Sequence, residues 1–296
     1  MTKTLRALLA VTLLITFAAC GSDEPETGAQ PQPEQPSPET NVLTIVERDY
    51  SFEVSGEIEA GTVSVSVSNE GSEFHEIAMA RFLEGKTMDD LLKAIEKSKG
   101  RGNPLKGIAE EESVIDQLGS VQLPGTSFTS TGTGVEAGDY ALLCFIPTKK
   151  GKSHYTLGMV SSFTVAEGDV AESPSADATY TATDDTLEGP ETLPAGSTVI
   201  EVVNNTEVDR EIFLVKIAAG KTVDDATKWF ESAQGGPPDP ATAPLEFFTF
   251  MFSGEGDRFL EVELTPGQWA IQTADPDKPF EGPPDKDPHA VLFTVE

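Results

Sequence analysis

The chain carries two cysteines and three histidines, and their placement is where chemistry could arise. Cys144 opens the stretch Cys144-Phe-Ile-Pro147, with His154 and Met159 downstream and His75 far upstream. A thiolate, two imidazoles and a thioether form the donor set that holds copper in trigonal sites with a weak axial sulfur. The same residues also have a structural reading: surface or hydrogen-bonded imidazoles, a core methionine and a buried thiol. Ligation has the advantage of explaining an unpaired cysteine in an oxidising compartment.

That compartment is implied by the other cysteine. Lys3 and Arg6 precede an apolar run from Leu8 to Phe17, of signal-peptide length and too short to span a bilayer comfortably. Ala18 and Ala19 then lead into Cys20-Gly21, which resembles the lipobox of bacterial lipoproteins, with Phe17 where leucine is usual. The resemblance implies a signal peptide over 1–19, lipid on Cys20, and a mature chain anchored on the extracytoplasmic face of the cell membrane. The alternative is an ordinary secretory signal with a coincidental cysteine. Residues 20–41 are rich in proline and acids and hold no large apolar residue, so they cannot build a core. As an extended tether at about 3.1 Å per residue they reach roughly 65 Å.

The elements that must position the donors repeat. HEIAMARFLEGKTMDDLLKAIEKS from His75 matches REIFLVKIAAGKTVDDATKWFESA from Arg210, and Gly138 to Cys144 matches Gly267 to Thr273. Both halves close on Phe-Thr-Val, at Phe163 to Val165 and Phe293 to Val295. A repeat this long is a duplicated domain and not a solenoid unit. The expected domains are 42–166 and 178–296, joined by a polar linker over 167–177.

Within each half the periodicity is that of strands. Thr62 to Asn69 alternates valine with serine, and Ile77 to Phe82, Tyr140 to Ile146 and Gly158 to Val165 read as further strands. The second half answers with Thr198 to Val203, Ile212 to Ile217, Arg258 to Leu264, Gln268 to Thr273 and Ala290 to Val295. One helix interrupts each half, capped by Thr87 or Thr222 with acids in the first turn, and runs to about Ser98 or Ser232. Short strands with one inserted helix predict an all-β fold of two Greek-key β-sandwiches.

His75 follows an Asn-containing turn that starts at Asn69, and Cys144, His154 and Met159 lie on a loop between the last two strands. In this the first half resembles the cupredoxin family, the small blue-copper proteins, and the inserted helix resembles the azurin branch. The resemblance implies a cupredoxin-like sandwich in each half. It also implies a type 1 copper site with His75, Cys144 and His154 as equatorial ligands and Met159 as the weak axial one. Nine residues separate Cys144 from His154, more than small carriers use, and the insertion around Lys149, Lys150 and Lys152 is basic, so a less tightly shaped, flexible loop is expected. A binuclear centre would need a second cysteine there. In the second half Arg210 replaces His75, Thr273 replaces Cys144 and His289 aligns with Met159, so no metal site is expected. The proline-rich loop 275–288 reads as a constrained solvent loop, and Phe248, Phe250 and Phe252 read as core.

The net charge is -30, and removal of Lys3 and Arg6 with residues 1–19 takes it to -32. Nucleic acid and anionic lipid surfaces are disfavoured as partners; a cationic or redox protein is compatible, as is simple solubility. No catalytic triad, phosphate loop or zinc-protease signature is present, so the chain is not expected to be an enzyme. Two functions follow: a membrane-tethered copper protein for one-electron transfer or copper handling, or a metal-free cupredoxin-like surface lipoprotein that binds a protein or small ligand. Cys20→Ala should release the protein from the membrane fraction. Lipid modification of that variant, or membrane retention of a chain begun at Ser22, would contradict anchoring.

Overall fold

In the computed structural model the described residues are 41–99, 101–110, 118–233, 237–252, 257–275 and 285–296. Cys20, the signal segment and residues 20–40 of the tether lie outside them, as does most of the 275–288 loop. The described residues belong to one compact unit, Gln35–Glu296. Among them, no helix is long and apolar enough to cross a membrane.

Alternation dictates the strands. The first half contains β1 (Val42–Arg48), β2 (Ser51–Ser55), β3 (Ile58–Asn69) and β4 (His75–Arg81), then helix α1 (Met88–Ser98). It continues with β5 (Ser120–Gln122), β6 (Ser127–Val135), β7 (Gly138–Leu143) and β8 (Val160–Val170). The second half holds β9 (Ala178–Ala182), β10 (Leu187–Glu188), β11 (Thr192–Leu193), β12 (Gly196–Asn204) and β13 (Glu211–Ile217). Helix α2 (Val223–Glu231) follows, then β14 (Leu245–Met251), β15 (Arg258–Leu264), β16 (Gly267–Ala274) and β17 (Ala290–Val295). The all-β fold with one helix inserted in each half is the one the repeat predicts.

Each half is a two-layer sandwich. In the first, β2, β1, β3 and β6 form one sheet, with β1 and β3 parallel, and β5, β4, β7 and β8 form the other. In the second, β10, β9, β12 and β15 face β14, β13, β16, β17 and β11. Val63, Val65 and Val67 from β3 meet Ile77, Met79 and Leu142 from the opposite sheet in a buried core. The serine face of β3 is not a plain solvent face: Ser64 is buried and hydrogen-bonds the Thr131 hydroxyl at 2.7 Å.

Both helices start as their capping residues dictate. Asp90 and Asp225 accept from the backbone N–H of Thr87 and Thr222 at 3.2 and 2.9 Å. Leu91 of α1 is buried against Phe82, Ala141, Leu143 and Tyr155, which fastens the helix to the sheet that carries the donors.

The halves join edge to edge. β5 pairs with β4 on one side and β14 on the other, and β6 pairs with both β3 and β15. Each layer therefore runs through both copies of the repeat. Phe74, the residue before His75, is buried between the rings of Trp229 and Phe248, each with its centroid 5.9 Å away. Phe248 thus packs at the junction, while Phe250 is only half-buried. Phe74→Ala should cost about 3 kcal/mol of unfolding free energy in denaturant, with a change in Trp229 fluorescence. A loss below about 1 kcal/mol would mean that this contact does not hold the halves together.

Candidate metal centre

Three of the four expected donors converge at one end of the first sandwich. His75 opens β4, Cys144 follows the last residue of β7, and His154 begins a 3-10 turn, His154–Leu157, before β8. One ligating atom from each lies within 4.8 Å of the others, and all three side chains are buried. The Nδ1 atoms of His75 and His154 are 3.2 Å apart, and Cys144 Sγ is 3.4 Å from His154 Nδ1. Met159 is fully buried on the same loop; its N–H donates to the His154 carbonyl and its carbonyl accepts from Cys144 N–H, at 3.1 and 3.3 Å.

The long loop is closed by its own backbone. Tyr155 N–H donates to the Cys144 carbonyl and His154 N–H to the Ile146 carbonyl, each at 2.9 Å. Pro147 and Ser153 form a bridge, beyond which Thr148 accepts from Gly151 N–H and donates to the Lys152 carbonyl, both at 2.8 Å. The inserted basic residues are looped out as a small hairpin, and its base returns His154 beside Cys144. The sequence spacing gave no sign of this because the turn is closed by main-chain bonds that follow no side-chain motif.

Burial sets the chemistry of the three donors. Desolvation, and then repulsion from His154, lower the His75 imidazole to about 4 despite the Asp49 carboxylate. It is therefore neutral near pH 7, and its contact with Asp49 is an N–H···carboxylate bond and not an ion pair. Desolvation likewise lowers His154, against the opposing pull of Glu73. Burial and then the Glu76 charge push the Cys144 thiol well up, partly offset by backbone N–H groups of Glu76 and Ile146 aimed at the sulfur. Two neutral imidazoles and a buried thiol with two amides aimed at it suit a soft metal: ligation would displace the thiol proton, and the amides would then support the thiolate.

Residues that sequence reasoning missed surround this group. The turn between β1 and β2 supplies Asp49 to His75 Nε2 at 3.2 Å and the Tyr50 ring to the edge of His154, centroids 5.1 Å apart. Tyr50 holds a left-handed φ of 64°, an unfavourable backbone for a bulky residue, and its hydroxyl lies 3.4 Å from Glu73 Oε2. Glu73 Oε2 is also 3.0 Å from His154 Nε2, though off the axis of that N–H, so the contact is electrostatic before it is a hydrogen bond. Glu76 Oε2 accepts from Phe145 N–H at 2.7 Å, tying β4 to the start of the loop. Below the site, Glu47 is fully buried with no partner on either oxygen among the described residues; desolvation and then Glu76 push its carboxyl well up, toward the neutral acid. No motif marks any of these positions, because each acts across strands that only the fold brings together.

The second half has no such cluster among its described residues. Arg210 is buried and bonds Thr206 at 3.4 Å, while Thr273 and His289 meet through their backbones at 2.9 Å. The Thr273 hydroxyl and His289 Nδ1 have no hydrogen-bond partner there.

No family model and no curated protein matches the chain. Among solved structures it is similar to the dithionite-reduced auracyanin of the photosynthetic bacterium Roseiflexus castenholzii, at 23% identity, over 43% of this chain and 97% of that one, with a TM-score of 0.29. It is also similar to the blue copper oxidase of Nitrosomonas europaea, at 14% identity, over 86% and 84%, with a TM-score of 0.21. A third is the copper-containing nitrite reductase of Thermus scotoductus, at 10% identity, over 86% and 61%, with a TM-score of 0.22. Likenesses this weak establish neither a family nor a function; the site rests on its own atoms.

Because His75 titrates lower in the folded protein than its ordinary 6.5, the unfolded chain binds more protons between those two values. Its contribution to stability is complete above about 6.5 and is lost as pH falls toward about 4, by up to about 3 kcal/mol. Urea unfolding of the metal-free chain and of His75→Gln at pH 7 and 4.5 should show the variant less sensitive to acid by about that amount. Equal sensitivity would contradict the burial argument.

Proposed function

We propose that the protein is a tethered extracytoplasmic copper protein of cupredoxin type, in which His75, Cys144 and His154 would hold the metal and Met159 would supply a weak thioether donor. The observation that carries this reading is the burial of two imidazoles and one thiol with their donor atoms within 4.8 Å of one another. When bound, copper would supply one-electron redox chemistry. The protein's part is to keep both imidazoles neutral, aim two backbone N–H groups at the sulfur, and exclude water by burial of all three donors. The proposed role is electron transfer or copper handling.

The metal-free binding module remains as a second reading because a buried, closely packed group of two imidazoles and a thiol can persist without a metal. Copper titration of the full chain separates the two. Stoichiometric Cu(II) should give an intense thiolate-to-copper visible band. Cys144→Ser should abolish the band, since a hydroxyl cannot replace a soft thiolate. Met159→Leu should keep the colour and shift the reduction potential. A colourless wild-type protein whose Cys144 still titrates as a free thiol would overturn the copper reading and leave the binding module.

A further inference from the structure

The two imidazoles are oriented from behind as well as from the cluster. Asp49 Oδ1 lies 3.2 Å from His75 Nε2 and accepts the Ser72 N–H at 2.8 Å, while Oδ2 accepts the Ser72 hydroxyl at 2.7 Å. The carboxylate is thus fixed by one residue of the segment before β4 and presented to the buried ring three residues on. Glu73 Oε2 lies 3.0 Å from His154 Nε2 and 3.4 Å from the Tyr50 hydroxyl. A carboxylate accepts and cannot donate, so the bond to Asp49 puts the proton on His75 Nε2, and the nearby Glu73 charge favours it on His154 Nε2. Each imidazole then turns its Nδ1 lone pair toward the other ring and the Cys144 sulfur.

Gly71 supplies independent support. Its φ is not in the left-handed region, so its backbone does not require glycine. A Cβ there would stand 2.6 Å from Asp49 Oδ1 and closer still to His75 Nε2. His75 is fully buried and cannot withdraw. The missing side chain is what leaves room for carboxylate and ring to meet.

We propose that Asp49, seated by Ser72 and given space by Gly71, and Glu73, braced by Tyr50, are positioning residues that lock His75 and His154 in the Nε2–H tautomer with both Nδ1 lone pairs facing the Cys144 sulfur. The consequence for a bound metal rests on the copper reading above. Two carboxylates raise the basicity of the imidazole ligands and place negative charge next to the site, which favours the more highly charged oxidation state of the metal. Both carboxylates face the Nε2 atoms and would act through the rings and not as ligands.

The test uses the full chain in two states. Without metal, long-range proton–nitrogen spectra of the imidazoles should show both rings protonated at Nε2. Asp49→Ala should mix the tautomers of His75, Glu73→Ala those of His154, and Gly71→Ala should disturb His75 without removing a carboxylate. Asp49→Asn keeps an acceptor oxygen and should restore the His75 tautomer. With copper, the alanine variants should bind Cu(II) about 10- to 100-fold more weakly. Asp49→Asn should retain more of that affinity yet still shift the reduction potential upward, since only the charge is gone. Nδ1–H tautomers in the metal-free wild type, or unchanged spectra and affinity in every variant, would overturn the proposal. Correct tautomers in a protein that binds no copper would overturn the copper reading and leave the positioning intact.

Discussion

The main-chain ladder that closes the loop between Cys144 and Met159 is the constraint on which the site depends. Four backbone bonds, Cys144 to Met159, Met159 to His154, Tyr155 to Cys144 and His154 to Ile146, bind the ends of the segment to each other. Side-chain donors on a loop are only as well placed as their backbone, and backbone bonds of this kind survive changes in the residues between them. The loop can therefore carry an inserted basic hairpin without moving the histidine away from the cysteine. β4 supplies the remaining donor, and its position is fixed by β5 on one side and β7 on the other.

Much of the fold was legible in the sequence, because its signals are local. The valine–serine alternation of β3, the Thr87 and Thr222 caps and the matching segments from His75 and Arg210 each predict their element within a few residues. The grouping of His75, Cys144 and His154 was reachable through likeness to a ligand pattern. What could not be read was everything that acts across strands. Asp49 and His75 are 26 positions apart, Phe145 and Glu76 are 69, and no periodicity ties such pairs. Nor could the order within the long loop be read, since spacing alone suggested slack where main-chain bonds impose a turn. Glu47 extends the inward face of Leu43 and Ile45, so the alternation places it in the core even though its charge argues for solvent.

Charge is unevenly spread on this acidic chain. Lys149, Lys150 and Lys152 project from the hairpin on the loop that carries the donors, and all three are exposed. Lys149 is paired with Asp239 of the second half at 3.0 Å, both side chains being well exposed, so that bridge adds little stability. The basic hairpin therefore sits where the two halves approach one another, beside Phe74 and the aromatic junction. The second copy of the repeat keeps the sandwich without the donor set, and only β5 separates its strand β14 from the strand that carries His75.

The edge-to-edge union of the two copies has a further consequence for solubility. A free sheet edge is a template for pairing with another molecule, and β5 and β6 would offer two such edges if the first copy stood alone. Duplication within one chain consumes them: each copy is the other's permanent neighbour, as in a dimer whose partner can never dissociate. The outer rims fall to β2, β10 and β11, which are five, two and two residues long, and to β8, which turns aside to pair with β3. Short or diverted rims are poor templates. The second sandwich thus covers both edges that the first would otherwise leave open.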